Sequence, residues 1–286
     1  MGRHGYLALW CAVFGTVALL GYVRSLARMT RARRTVRVTG RIERVREPRH
    51  GGSRRGGIPV VVSYQDPATG RDVTVTNDGD RGEMISVAWE GREIGVHYPR
   101  GRPHAFRFTS HPEDGGRGLG LPNAAVFLIY AGLVVVAALD RGWLWALIGF
   151  CGPWAVVGAL HLPGNVRDTR RRRETLAAMA AVRGRFVAVL RDVSTDAEGS
   201  TSTTLTPVVA FATREGAAVT AFCMSGVPDA AAAQGRDVTV HYTPGDPAVF
   251  TLDRVAEQRS LRTDIPVNVV ALLVVATAAV VGAVLL

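Results

Sequence analysis

The chain has 286 residues, a formal net charge of +10 and a 48% share of hydrophobic residues. Four long apolar runs exclude a protein made only of soluble domains, since each approaches the ~20 residues that cross a bilayer. All 34 basic residues are arginine, which is typical of a high-GC bacterial genome. The three cysteines, Cys11, Cys151 and Cys223, fit neither a disulfide framework nor a metal-binding spacing.

The first apolar run, residues 6–23, predicts a transmembrane helix within residues 1–23. A cleaved signal peptide is the alternative, but its charge precedes the apolar run, whereas here arginines follow it directly. We therefore predict an uncleaved anchor, followed by a basic helical extension at residues 24–35.

A basic linker and a small β domain are predicted over residues 24–122. Short β-branched segments predict strands, and the turn residues of 66–70 join two of them in a hairpin. The predicted strands are residues 36–45, 58–64, 72–76, 92–98 and 105–108. Residues 46–57, rich in glycine and arginine, are expected to form a mobile loop, and residues 83–89 a helical turn. The size is that of an SH3 or OB sheet or partly closed barrel.

The second half of the chain repeats this order. Residues 123–139 and 143–162 predict two transmembrane helices, which Asp140-Arg141-Gly142 joins in a tight hairpin. A second basic linker and β domain follow at residues 163–265, and a fourth helix at 266–286. The predicted strands are residues 183–190, 207–213, 217–222, 236–242 and 249–252, with a Ser/Thr-rich loop at 192–206 and a helical turn at 227–234.

Segments 36–140 and 180–284 are two copies of one unit, 144 positions apart. Gly40 matches Gly184 and Gly91 matches Gly235. A fixed internal period indicates a duplicated structural unit. The predicted fold class is therefore a polytopic membrane protein, with four transmembrane α-helices and two homologous small all-β domains.

Short motifs in both copies carry a family resemblance. They are Gly40-Arg41-Ile42, Pro59-Val60-Val61 and Val96-His97-Tyr98-Pro99, with Gly184-Arg185-Phe186, Pro207-Val208-Val209 and Val240-His241-Tyr242. The chain resembles, in two tandem copies, the bacterial membrane-protein family known as Domain of Unknown Function 3592. The resemblance implies a small β domain between membrane helices and no activity, ligand or catalytic residue. The first copy departs from the pattern, because Arg100-Gly101-Arg102 replaces the Gly-Asp turn of the second.

Arginine placement predicts the orientation. Arginines with no acid among them follow the first helix over residues 24–37, and the arginines that follow the third over residues 167–173 stand against only Asp168 and Glu174. The opposite flanks hold only Arg3 and Arg141. Because cytoplasmic flanks carry the arginine excess, we expect a multi-pass protein of the bacterial inner (plasma) membrane, with cytoplasmic β domains and both termini outside.

Some of these arginines, together with Arg54 and Arg55, are the candidate contacts for anionic lipid head groups or for a partner. They are Arg31, Arg33, Arg34, Arg54, Arg55, Arg170, Arg171, Arg172 and Arg173. A basic residue near an anionic surface contributes ~1 kcal/mol to lipid binding. Arg54 and Arg55 lie in the loop of residues 46–57, away from the helix ends, where membrane topology does not require arginine. A protein partner with an acidic face is therefore an alternative to lipid for these two residues. Nucleic acid is disfavoured because aromatic side chains for base stacking are absent there.

No catalytic, cofactor-binding or metal-binding residue is predicted. His97 and His241 occupy equivalent strand positions but lack further ligands at zinc-binding spacing. Cys223 is read as a small buried hydrophobe rather than a nucleophile. The phosphate-binding, zinc-protease and hydrolase signatures are absent from the sequence, so an enzyme is not expected.

The predicted role is a non-enzymatic membrane-anchored scaffold or sensor, whose duplicated β domains bind a protein partner, for example by accepting a strand at a sheet edge. One alternative is a small-ligand receptor or enzyme with a site between the two β domains. A second is a transport or channel subunit, which the lack of ionisable residues inside the apolar runs disfavours. Ala278 and Gly282 indicate a helix-packing face, and a homo-oligomer is left open.

Overall fold

A computed structural model describes residues 2–32, 35–77, 84–109, 119–196, 198–224, 227 and 229–286. Its helices are α1 (Arg3–Ala32), α2 (Gly120–Arg141), α3 (Leu144–Ala178) and α4 (Arg254–Val284). The strands of the first copy are β1 (Thr35–Val45), β2 (Val60–Gln65), β3 (Asp72–Thr76), β4 (Val87–Trp89), β5 (Glu93–Pro99) and β6 (Arg107–Thr109). Those of the second are β7 (Ala180–Thr195), β8 (Thr201–Ala212), β9 (Ala218–Phe222), β10 (Asp237–Thr243) and β11 (Asp246–Thr251).

Within the described residues, four helices are long and apolar enough to cross a membrane, as the sequence predicts. The helical extension after residue 24 is confirmed as far as Ala32. Both α3 and α4 are longer than their apolar runs: α3 continues through the arginines to Ala178, and α4 already begins at Arg254. Arginine, glutamate, leucine and alanine are strong helix formers, so polar composition alone does not end these helices.

Small residues bring the helices into contact. A Cβ added at Gly282 of α4 would lie 3.0 Å from Leu147 Cβ of α3, which confirms the packing face predicted there. Between α1 and α2, the indole Nε1 of Trp10 donates a hydrogen bond of 2.9 Å to the carbonyl oxygen of Leu128. The glycine lets the backbones of α3 and α4 approach closely, and the hydrogen bond links α1 to α2.

The duplication predicted from the sequence is confirmed in the sheets. The first sheet has the order β3-β2-β1-β5-β6, and β9-β8-β7-β10-β11 gives the same order in the second. Neighbouring strands are antiparallel throughout. The second sheet has one further strand, β4 of the first copy, beside β9.

Glycine is required at the matched positions of the two copies for the same physical reasons. A Cβ at Gly40 would lie 2.7 Å from Val96 Cγ2, and one at Gly184 would lie 2.7 Å from Val240 Cγ2. Both positions therefore lie under valines of the adjacent strand, where no side chain fits. Gly91 and Gly235 instead have positive φ values of 87° and 78°, which glycine adopts without steric cost.

Three local predictions are corrected. Residues 87–89 form the strand β4 rather than a helical turn, because Val87 and Trp89 have high strand propensity; residue 83 lies outside the described residues. The expected helical turn of the second copy is confirmed as a 3₁₀ turn, Ala230–Ala232. The Ser/Thr-rich loop is instead the extended β7–β8 hairpin, in which the Ser194 and Ser202 hydroxyls lie 2.6 Å apart. The third corrected prediction is the mobile loop of residues 46–57, which lies at the junction described below.

The β-rich segments of both copies, residues 33–115 and 175–257, belong to one compact unit, and the helices to another. The core of the first sheet includes Ala188, Leu190, Val208 and Phe222 of the second copy. Sequence analysis predicts two β domains, but a shared core and a shared strand make them one folding unit. This shared arrangement defines the junction between the copies.

Candidate functional site

The junction is built first by strand β4, which leaves its own copy and pairs with β9. Val87 lies opposite Ala221 and Trp89 opposite Val219. The N–H of Phe222 donates a 2.8 Å hydrogen bond to the Ser86 carbonyl oxygen. The outer edge of β9 is therefore covered by backbone from the first copy.

A loop of the first copy forms the second part of the junction. The N–H of Gly51 donates to the Val189 carbonyl at 2.8 Å, and the N–H of Arg191 donates to the Gly52 carbonyl at 2.9 Å. The N–H of Val189 also donates to His50 Nδ1 at 3.2 Å. The loop predicted to be mobile is thus held against β7, because β7 there has a free edge whose backbone groups need partners.

Asp192 anchors the same loop through its side chain. It accepts a 2.7 Å hydrogen bond from the Ser53 hydroxyl and lies 3.5 Å from Arg54 Nε. The Arg54 and Asp192 side chains are only 29% and 20% exposed. Arg54, predicted as a contact for lipid or partner, is therefore engaged within the chain, while Arg55 beside it is exposed.

The remaining predicted arginines lie on helices. Arg170, Arg171 and Arg172 are exposed on α3. Arg173 donates a 2.7 Å hydrogen bond to the Leu261 carbonyl of α4, so it also links two helices. Arg31 lies in α1, where its side chain is outside the described residues, as are Arg33 and Arg34 entirely.

Strand β3 occupies the position in its sheet that β9 occupies in the other. The N–H of Asp66 donates to the Arg71 carbonyl, and the N–H of Asn77 donates to the Val60 carbonyl. In an antiparallel pair the residues that face the partner alternate. The backbone groups of Val73 and Val75 therefore face β2, and those of Asp72, Thr74 and Thr76 face away from it.

The outer edge of β3 is open in the described part of the chain, where β3 is the last strand of its sheet. Its side chains at Asp72, Thr74 and Thr76 are exposed, whereas four of the five residues of β9 are buried. Among the described residues, β9 is covered by β4, and no strand lies beside its counterpart β3.

A tyrosine–carboxylate contact recurs in both copies and was not anticipated from the sequence. The Tyr98 hydroxyl donates to Asp66 Oδ1 at 2.7 Å, and the Tyr242 hydroxyl donates to Glu215 Oε2 at 3.0 Å. The Tyr98 bond, helped by the Ala68 N–H, lowers the pKa of Asp66. The repeated Val-His-Tyr motif was the available signal, but the acids lie at different offsets in the two hairpin turns. These contacts fix the β2–β3 and β8–β9 turns.

The other candidate residues have structural surroundings. Burial raises the pKa of the Cys223 thiol to about 12, so a reactive thiolate is disfavoured at neutral pH. His97 and His241 are half-buried at equivalent positions of β5 and β10. Within the described residues, no group of three or more His, Cys, Asp or Glu side chains is placed to hold a metal ion.

The described part of the β unit carries several surface clefts. One of about 540 Å³ borders the junction and is lined by charged side chains of both signs, among them Glu47, Glu90 and Arg185. A larger one, of about 1440 Å³, follows the β5–β6 turn from Thr35 and His97 to Thr109.

Comparison of the chain with protein-family models, with curated proteins and with solved structures finds no match. The resemblance stated above therefore stays a prediction, and functional argument rests on the geometry of the chain itself.

Proposed function

We propose that the protein is a membrane-anchored scaffold whose β unit holds an extended segment of a protein partner along the outer edge of β3. The observation that carries the proposal is the difference between the two equivalent edges. At β9, the chain's own strand β4 occupies the edge, whereas β3 is the last strand of its sheet in the described part of the chain, with the backbone groups of Asp72 and Thr74 facing outward.

The pairing at β9 indicates what such a segment would look like. Three residues of β4 pair antiparallel with β9, and Ala88 between them is fully buried. A partner segment at β3 would likewise supply main-chain hydrogen bonds, and its alternate apolar side chains would extend the core beside the buried Val75. Exposed strand edges bind other strands readily, so an open edge needs either protection or a partner.

The shared core favours this role over a ligand receptor with a site between the copies. Leu190, Val208 and Phe222 fill the junction together with side chains of the first copy. A ligand site there would have to displace packed apolar side chains. The edge of β3, by contrast, carries the exposed side chains of Asp72 and Thr74.

The membrane arrangement is part of the same proposal. We infer that the four apolar helices cross the inner membrane and that the β unit faces the cytoplasm, on the distribution of arginine. Single cysteines at Ala68 and Ser200, both exposed, test this in a background without native cysteines. An impermeant thiol reagent should label both only after spheroplast lysis; labelling of intact spheroplasts contradicts the orientation.

The edge is tested in native membranes with a photo-reactive residue at Thr76 of the full chain. We expect a discrete protein adduct that Thr74→Pro abolishes, because proline removes an outward N–H without breaking the β2 pairing. A probe at Thr39, exposed on the central strand β1, is the matched control. An adduct that persists in Thr74→Pro, or that forms equally from Thr39, contradicts the proposal. An adduct of twice the chain's mass would identify a second copy as the occupant.

A further inference from the structure

A groove on one face of the second sheet has a floor of small side chains. Ala210 and Ala212 of β8 lie on either side of the buried Phe211 in the sequence, and Ala218 of β9 precedes the buried Val219. Because successive side chains of a strand point to opposite faces, the three alanines face away from Phe211 and Val219. They line the cleft of about 540 Å³ that borders the junction. We call this cleft the alanine groove.

One row across the sheet places an arginine and a glutamate at opposite ends of the alanine groove. Ala212 lies opposite Ala218. The register of the adjoining pairs, continued by one residue, places Arg183 of β7 beside Ala212, and Glu90, which directly follows β4, beside Ala218. Three strand spacings, roughly 14 Å, separate the two ends of this row. A cationic and an anionic side chain thus line one groove with two methyl groups between them.

Further charged side chains line the same groove. They are Arg185, Glu47 and Asp237. Arg185 Nε donates a 3.2 Å hydrogen bond to the Gly235 carbonyl oxygen. Within the described part of the chain, no ion pair joins any of the groove's two arginines to its three acids. Charges of both signs around one hollow suit a ligand that carries both charges, because each would gain a charged hydrogen-bond partner.

The floor of the alanine groove also contains a hydroxyl group. Thr220 of β9 is only 8% exposed and lines the groove. Its neighbours in register are Ala88 and Ala210, whose side chains form no hydrogen bonds. Among the described residues the Thr220 hydroxyl has no hydrogen-bond partner. A hydroxyl with so little access to water is stabilised by a polar group of a ligand placed over it.

The first copy has longer polar side chains at the equivalent positions. Ser63, Gln65 and Asp72 stand there in the places of the three alanines. The Ser63 hydroxyl donates a 2.5 Å hydrogen bond to Glu43 Oε1. The sheet therefore does not require alanine on this face. The hollow of the second copy arises from its alanines and from β4, which brings Glu90 to their far side.

We propose that the alanine groove binds a small zwitterion of the amino acid class, with one ammonium and one carboxylate group. Arg183, with Arg185 on the same strand, holds the carboxylate, because a guanidinium fork matches carboxylate oxygens. Glu90 accepts hydrogen bonds from the ammonium group. The groove volume of about 540 Å³ lies in the range of ~300–1,000 Å³ that small-molecule sites have. Such a ligand lies on the face opposite Phe211 and Val219 and displaces no core side chain.

The test is isothermal titration calorimetry of the full chain in a neutral detergent. The probes are γ-aminobutyrate, δ-aminovalerate and ε-aminocaproate, which differ only in the distance between their two charges. Caproate and hexylamine each carry one of the two groups. We expect the best zwitterion to bind roughly 10-fold or more tightly than either of them, because each lost charge-assisted hydrogen bond costs about that factor. No binding of any zwitterion, or equal binding of the singly charged probes, overturns the proposal.

Exchanging the charges at the two ends of the row protects the test against a folding defect. Arg183→Glu should weaken ε-aminocaproate by roughly 10-fold or more and strengthen the diamine cadaverine. Adding Glu90→Arg to that variant should restore ε-aminocaproate in the reversed orientation, which a misfolded chain cannot do. Arg100→Gln with Glu198→Gln removes one charge of each sign from exposed positions outside the groove and should leave affinity unchanged. Equal weakening by this control, or no recovery in the exchanged variant, contradicts the assignment.

A substitution in the floor tests the position of the ligand without changing charge. Ala212→Gln installs the residue of the first copy at an exposed position of β8 and should block the groove, with a roughly 10-fold or greater loss of affinity for ε-aminocaproate. Unchanged affinity would mean that the ligand does not lie over the alanines. The site is independent of the edge of β3, so Thr74→Pro should leave zwitterion binding intact, which separates this proposal from the proposed function.

Discussion

The two copies share one sheet order, yet one pair of equivalent segments has different secondary structure in them. Val87–Trp89 of the first copy is a strand on the edge of the other copy's sheet. Its counterpart at residues 231–233 is an alanine run, most of it the 3₁₀ turn Ala230–Ala232. Valine and tryptophan favour strands, whereas alanine favours helical conformations. Three residues thus decide which sheet is completed and which is left open.

This difference shows how a duplicated unit becomes asymmetric without changing its fold. Because β4 crosses to β9, the copies cannot separate without exposing the backbone of both strands. Because no strand of the second copy crosses back, β3 keeps its edge in the described part of the chain. The pairing that couples the two copies and the uncovered edge of β3 therefore both follow from the different residues at 87–89 and 231–233.

The largest effect is expected from breaking the covered edge. Ala88→Pro removes an N–H that the register directs at Thr220, and it adds volume at a fully buried position. The lost bond with its orphaned acceptor and the overpacking together cost roughly 2–5 kcal/mol. Hydrogen exchange of peptides from β8 and β9 measures it. Thr74→Pro, at the equivalent open edge, should cost less than about 1 kcal/mol; equal losses would mean that the two edges do not differ.

The next largest effects are expected from substitutions of the matched glycines Gly40 and Gly184, and they should be equal in the two copies. A Cβ at Gly40 or Gly184 meets a valine Cγ2 at 2.7 Å, and a valine side chain has little freedom to move aside. Gly40→Ala and Gly184→Ala should each cost about 1–3 kcal/mol of unfolding free energy. Gly56→Ala, where nothing lies within 4 Å, is the control and should change stability little. Denaturant unfolding of the full chain compares the three.

The tyrosine–carboxylate contact predicts how stability depends on pH. Hydrogen bonds from Tyr98 and the Ala68 N–H hold the folded pKa of Asp66 below its ordinary value of 3.8. This contribution is fully present above about pH 4 and is lost as the pH falls through the lower, folded pKa. Asp66→Asn should remove the contribution of this carboxylate to the acid-dependent loss of stability, and Tyr98→Phe should make that contribution smaller.

The exposed Asp72 of the same hairpin supplies the control for that profile. Asp72→Asn should leave the acid limb as it is in the natural chain. If Asp66→Asn and Asp72→Asn have the same effect, the contact with Tyr98 does not govern the acid response. The measurement is thermal unfolding followed between pH 2 and pH 7.

Regular patterns made much of this fold predictable. The four apolar runs predicted the helices, and the period of 144 predicted two sheets with equal strand order. The pairing of β4 with β9 could not be predicted, since a three-residue strand has no periodicity and its partner lies 130 residues away.

The loop of residues 46–57 shows the same limit of sequence reasoning. Its glycines and arginines indicate mobility when only local composition is considered. Its order comes from β7, whose free edge accepts and donates backbone hydrogen bonds at Val189 and Arg191. Local composition does not report a distant strand edge, so a docked loop and a mobile loop have the same sequence signature.

The smallest effect is expected from the ion pair between Arg54 and Asp192, which anchors that loop through side chains. A double-mutant cycle of Arg54→Ala and Asp192→Ala isolates the ion pair, whose groups are 3.5 Å apart and partly exposed. A partly screened pair of this kind contributes about 0.5–1 kcal/mol. Arg55→Ala with Asp192→Ala is the matched cycle and should show no coupling. A coupling near zero for Arg54 would leave the backbone bonds of Gly51 and Gly52 as what holds the loop, and would return Arg54 to the surface available for lipid or partner.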